Sequence, residues 1–102
     1  MDNVILIGMP GSGKSTVGVL LAKLLGYAFL DSDLLIQQRA GKRLFEILRD
    51  DGAEAFARLE EEVNAGLDVH RTVIATGGSA VYSDRAMAHL RSIGTVVYLR
   101  VS

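Results

Sequence analysis

Val4-Ile5-Leu6-Ile7-Gly8-Met9-Pro10-Gly11-Ser12-Gly13-Lys14-Ser15-Thr16 decides how this chain is read. From Gly8 to Ser15 it satisfies the phosphate-binding loop pattern G-x-x-x-x-G-K-[ST] at every required position. The apolar run ahead of it, Val4 to Ile7, suits a strand buried on both faces. Behind it, Val17, Leu20, Leu21, Leu24 and Leu25 recur at helical spacing, and Gly26 supplies a stop. Strand, glycine loop and helix in that order bring consecutive backbone N–H groups together on phosphate oxygens, with the partial positive charge of a helix N-terminus behind them. Gly11, Ser12, Gly13, Lys14, Ser15 and Thr16 are the candidate phosphate ligands. Lys14 has the reach for the β- and γ-phosphates of ATP, and the Ser15 hydroxyl suits Mg²⁺.

At 102 residues the chain has room for one small domain, residues 1–102. Apolar residues make up 49% of it, enough for a core, although three Tyr and three Phe are its only aromatics. The net charge is −1 with acids and bases interspersed, which points away from nucleic-acid and membrane surfaces as partners. Absence of cysteine excludes disulfides and thiolate metal sites and fits a reducing cytosol. Met1-Asp2-Asn3 lacks the basic start of a signal peptide, and no stretch approaches the ~20 apolar residues of a membrane span. A cytoplasmic domain is the expectation.

Further along, Tyr27 to Leu30 reads as a second strand running into Asp31-Ser32-Asp33. Leu34 to Ala40 reads as a helix stopped by Gly41, and Leu44 to Arg49 as another, closed by Asp50-Asp51-Gly52. A longer helix from Ala53 to about Leu67 carries Phe56, Leu59, Val63 and Leu67 on one face. Thr72 to Thr76 is a β-branched strand ending in Gly77-Gly78. Ser83 caps a helix with Asp84 at its start, Met87 and Leu90 on its face and Arg91 near its end; after Gly94, Thr95 to Val101 is a fourth strand. Strands alternating with helices argue for a three-layer α/β/α fold on a parallel sheet.

Asp31 and Asp33 fall where the second strand ends, the edge at which open α/β sheets bind ligands. One such carboxylate can hold Mg²⁺ and the other can orient or deprotonate an attacking hydroxyl. The alternative for Asp33 is that it caps the helix that follows. Gly77-Gly78 either admits a substrate closely or simply turns the chain. Arg58 sits off the apolar face of its helix; it can clamp a substrate carboxylate or pair with Glu54, Glu61 and Glu62 on the helix surface. His70 and His89 read as surface residues.

Taken together these residues resemble the shikimate kinase family of small P-loop kinases. The resemblance rests on Gly8 to Thr16 with Gly18 beyond, Leu30-Asp31-Ser32-Asp33, Gly41 followed by Phe45-Glu46-Ile47, Gly52, Phe56, Glu60, Gly77-Gly78 and Val96-Val97-Tyr98-Leu99. It covers the whole chain and roughly the first three-fifths of a typical member. It implies transfer of the ATP γ-phosphate to a hydroxyl of shikimate. Lys14 and Asp33 would be catalytic, Ser15 and Asp31 would lie at Mg²⁺, and Asp33, Gly77 and Gly78 would meet the substrate. The family's substrate-carboxylate arginine directly follows the phenylalanine matching Phe56; Ala57 holds that place here and Arg58 comes next. The family's last strand and lid would lie beyond Ser102, so these residues alone are expected to bind nucleotide without efficient turnover. A complete member is expected to be a monomer. A kinase for another small hydroxylated metabolite, or a non-catalytic nucleotide-binding remnant, are the competing readings.

Overall fold

Successive side chains of a strand point to opposite faces, so Ile5 and Ile7 go one way and Val4 and Leu6 the other, and both sets find cover. A computed structural model describes residues 2–8 and 13–99. Strand β1 (Asn3–Gly8) is followed by helix α1 (Lys14–Leu25), strand β2 (Ala28–Asp31), helices α2 (Ser32–Ala40) and α3 (Leu44–Ala65), strand β3 (Thr72–Ala75), a 3-10 turn (Ala80–Tyr82), helix α4 (Asp84–Ile93) and strand β4 (Gly94–Leu99). The four strands form one parallel sheet in the order β2-β3-β1-β4. Leu30, Ile74, Ile5 and Val96 align across it as one row. That row packs with Ile7, Leu67, Met87 and Leu90 under α4 and the end of α3. On the opposite face Leu6 and Val73 meet Ala22 of α1. Ile36, Ile47 and Val63 make a third cluster between α2 and α3.

The expected parallel α/β sheet is thus present, and several local signals act as read. Gly26 and Gly41 end α1 and α2 in the left-handed conformation. Ser83 caps α4 by accepting from the Ala86 N–H. Gly52 interrupts α3 with non-helical backbone, φ 88° and ψ 167°, which separates the two helical segments the sequence suggests.

Other details differ. Helix α2 begins at Ser32 rather than Leu34, because Asp31 is its cap and accepts from the Asp33 N–H at 2.9 Å. Asp33 therefore does not cap that helix. The leucine face expected to bury α1 is largely outside: Leu20 is 59% and Leu24 84% exposed. The buried residues of α1 are Gly18 and Ala22. A Cβ on Gly18 would sit 2.5 Å from the Phe29 ring, so small residues bring this helix close to the sheet. His89 is not a plain surface residue, since its Nε2 donates to the Leu67 carbonyl at 2.6 Å. Asn3, unremarked in the sequence, is buried. Its side chain donates to the carbonyls of Val69 and Ile93 and accepts from the Thr72 N–H, tying the starts of β1 and β3 to the end of α4.

Candidate active site

All four strands point the same way, so the residues that follow them gather at one edge of the sheet. Gly8 closes β1 there at φ 148°, with its α-carbon so near the Leu99 carbonyl that a Cβ would collide with that oxygen. Gly13 caps α1 in the left-handed conformation, φ 79°, and Lys14, Ser15 and Thr16 form the first helical turn. The first N–H groups of a helix are the ones its own carbonyls do not take up, and such a helix start attracts anions. Lys14 Nζ donates to the Gly8 carbonyl at 2.9 Å, which holds the ammonium at the mouth of the loop. Gly11 and Ser12, the other loop residues singled out above, lie outside the described residues.

Beside this turn, Ser15 Oγ donates to Asp31 Oδ2 at 3.1 Å, while Asp31 Oδ1 accepts from the Asp33 N–H. One carboxylate therefore fixes both the start of α2 and the hydroxyl of the phosphate-loop serine. Among the described residues no group of three His, Cys, Asp or Glu side chains could hold a metal. Two hard oxygens without a full protein cage suit Mg²⁺, which keeps waters and takes phosphate oxygens as its remaining ligands. The Ser15–Asp31 pair fits that ion.

Asp33 lies in the first turn of α2, two residues beyond Asp31. Burial, and after it the Asp31 carboxylate, push the Asp33 carboxyl above the usual aspartate range, with Lys14 pulling it back down. A carboxylate with raised affinity for a proton, within electrostatic reach of the loop lysine Lys14, is suited to receive a proton from a hydroxyl. Asp33 lines a cavity of about 390 Å³ together with Phe56, Glu60, Gly77, Gly78 and Tyr82. Gly77 is buried, and a Cβ there would press on Glu60 Oε2 and lie 2.8 Å from Asp33 Oδ1. Close approach, rather than turn formation alone, explains that glycine.

Sequence reasoning about charge and spacing did not single out Glu60 as a site residue. It is 4% exposed on α3, and Ser79 Oγ donates to it. Burial raises its pKa, the Ser79 bond lowers it, and Asp33 raises it again. A signal was present, because Glu60 falls four residues after Phe56 and three before Val63, on the apolar side of α3. Arg58 is exposed and lines neither this cavity nor a second one beyond Glu60, of about 280 Å³, walled by Ala57, Glu60, Glu61, Ser79 and Ser83. Its expected ion pairs with Glu54, Glu61 and Glu62 are not formed; Glu61 instead accepts from Ser83 and pairs with Arg85.

A parallel sheet, a glycine loop leading into α1, and paired acids after β2 define an α/β fold of the P-loop kinase class. Comparison with known proteins narrows this. Residues 10–102 match the family described as shikimate kinase. A shikimate kinase of Mycobacterium avium (strain 104) is 50% identical over 99 residues, which is 96% of this chain and 56% of that protein. The shikimate kinase from Acinetobacter baumannii, solved in complex with shikimate, superposes with a TM-score of 0.94 at 38% identity, over 100% of this chain and 57% of that one. The enzyme from Aquifex aeolicus gives a TM-score of 0.86 at 35% identity, over 98% and 60% of the two chains. The chain belongs to the shikimate kinase family, and it spans a little over half the length of these relatives.

Proposed function

We propose that this chain transfers the γ-phosphoryl group of ATP to a hydroxyl of shikimate, giving shikimate 3-phosphate and ADP. The observation that carries the reading is the convergence of Lys14, Asp33 and the cavity floored by Gly77 at one sheet edge. The family assignment and the shikimate bound to the Acinetobacter baumannii relative support the acceptor. Gly11 to Thr16 bind the phosphates through backbone N–H groups, and Lys14 offsets their charge. Ser15 and Asp31 would hold Mg²⁺, which when bound with the nucleotide screens the phosphate oxygens. Asp33 accepts the proton of the attacking hydroxyl as its oxygen bonds to the γ-phosphorus and the bond to the ADP oxygen breaks. Gly77 and Gly78 let the acceptor approach that carboxylate. The same reading makes residues 1–102 one kinase-like domain of a cytoplasmic, monomeric enzyme.

The test is shikimate-dependent ADP release, with the phosphorylated product identified by mass. Asp33→Asn is expected to lower kcat by about 10²-fold or more while nucleotide affinity holds. ADP release driven by another hydroxylated metabolite and not by shikimate would remove shikimate as acceptor. One observation favours a different small hydroxylated metabolite, lacking a carboxylate: among the described residues no Lys, Arg or His lines the cavity beside Asp33 or its neighbour beyond Glu60. A panel of neutral polyols in the same assay separates the two acceptors.

A further inference from the structure

Leu30 of the edge strand β2, Leu35 of α2 and Val63 of α3 line a cavity of about 430 Å³ together with Leu67 and Val69 from the segment between α3 and β3. Val63 and Leu67 are buried and the other three half-buried, so this lining is aliphatic and largely withdrawn from water. The volume lies within the range of small-molecule sites. The cavity shares no residue with the one beside Asp33 or with the one beyond Glu60. Val69 belongs to the other edge of the sheet, where the strands begin: its carbonyl accepts from the Asn3 side chain at the start of β1.

Gln38, Arg39 and Asp68 supply the polar part of the wall. Among the described residues Arg39 and Asp68 are its only charged side chains, one of each sign. They do not pair with each other, and among the described residues the side chains of Gln38, Arg39 and Asp68 have no hydrogen-bond or ion-pair partner. Arg39 stands in the last turn of α2, where the helix dipole favours a cation. That accounts for its charge but not for an unpaired carboxylate lining the same cavity. An anion alone would suit Arg39 and be repelled by Asp68, and a cation alone would do the reverse. A neutral polyol would leave both charges unanswered and lay its hydroxyls against the aliphatic lining. An α-amino acid with an aliphatic side chain answers every part of the wall. Its carboxylate matches the planar fork of the guanidinium, its ammonium matches Asp68, and its side chain covers the lining. The Gln38 carboxamide offers a donor and an acceptor to either charged group.

We propose that this cavity is a binding site for a free α-amino acid with an aliphatic side chain, held between Arg39 and Asp68. The proposal does not rest on the kinase reading, and its test uses neither nucleotide nor acceptor. L-Leucine is titrated into the 102-residue chain while amide chemical shifts are followed. Three fragments are titrated beside it: 4-methylpentanoate lacks the ammonium, 3-methylbutylamine lacks the carboxylate, and glycine lacks the side chain. Saturable shifts at Leu35, Arg39, Leu67 and Asp68 are expected with leucine, and binding about fivefold weaker or more with each fragment. Arg39→Gln should bring leucine down to the level of 3-methylbutylamine, and Asp68→Asn to that of 4-methylpentanoate. Both positions are exposed, so the variants keep the fold. Leucine binding no tighter than its single-charge fragments, binding unchanged in the two variants, saturable shifts confined to the Asp33 edge, or no saturable shifts at all would each overturn the proposal.

Discussion

The carboxylates of Asp33 and Glu60 meet over the α-carbon of Gly77, one from the first turn of α2 and the other from the middle of α3. Burial raises the proton affinity of both; the Asp31 carboxylate adds to it at Asp33, and Asp33 adds to it at Glu60. Folding therefore makes both groups hold protons more tightly than they do in the unfolded chain. The folded state binds more protons between the unfolded and folded pKa values, so stability falls as pH rises through that window. Glu60→Gln removes one of the two charges while leaving an oxygen for Ser79. Denaturant melts should show the variant gaining on the wild type as pH rises from about 4 to about 7. A gap that is flat with pH would mean that folding does not raise the proton affinity of Glu60.

Two glycines at the same sheet edge should respond differently to alanine. At Gly77 the added Cβ meets the far ends of two flexible side chains, which can turn aside. Gly77→Ala should cost about 1–3 kcal/mol of stability at most, with a larger loss in shikimate-dependent turnover as Asp33 and Glu60 are displaced. At Gly8 the Cβ meets the Leu99 carbonyl of a paired strand, and φ is 148°, where alanine is strained. Gly8→Ala should be the more destabilising of the two. Thermal melts of the pair, beside their turnover, separate the effects.

Asn3 is a buried amide, and it is fully used. Replacing it by alanine strands the Val69 and Ile93 carbonyls and the Thr72 N–H together. Each buried group left unpaired costs about 1–3 kcal/mol, so Asn3→Ala should rank among the most damaging polar substitutions in the chain. Hydrogen exchange at Thr72 would report it directly, through a loss of protection larger than that of the sheet centre.

What could be read from sequence depended on whether a residue's surroundings were local. The strands were legible because Val4 to Ile7 and Thr72 to Ala75 carry their burial in their own composition, and the helix stops because Gly26 and Gly41 act within one turn. Asp31 and Asp33 were placed correctly at the sheet edge, but their division of labour was not readable, since capping geometry decides that Asp31 holds α2 while Asp33 is left facing the cavity. The buried face of α1 was misjudged because large apolar side chains mark hydrophobicity, whereas Gly18 and Ala22 are selected for close approach to Phe29 and Leu6. The burial of Glu60 and Asn64 was not read from the sequence. Their burial is conferred by the 3-10 turn and α4, which arrive from residues 80 to 93.

Lys14 and Ser15 are adjacent in sequence and should nonetheless fail in distinguishable ways. Lys14 acts as a charge, held by the Gly8 carbonyl at the loop mouth, and needs no mediator to reach a phosphate. Lys14→Ala should weaken ADP binding by about 1.5–3 kcal/mol, roughly 10- to 150-fold, whether or not magnesium is present. Ser15 is tied to Asp31 and is suited to an ion that bridges to the phosphates, so its contribution passes through that ion. Ser15→Ala and Asp31→Asn should therefore weaken ADP binding in magnesium buffer and approach wild-type affinity when the metal is chelated. Asp31→Asn keeps an oxygen for the α2 cap, which limits any loss to folding. Calorimetric titrations of the four proteins with and without chelator decide the matter. If the serine and aspartate variants lost as much affinity in chelator as in magnesium, their role would be to shape the loop rather than to hold the ion.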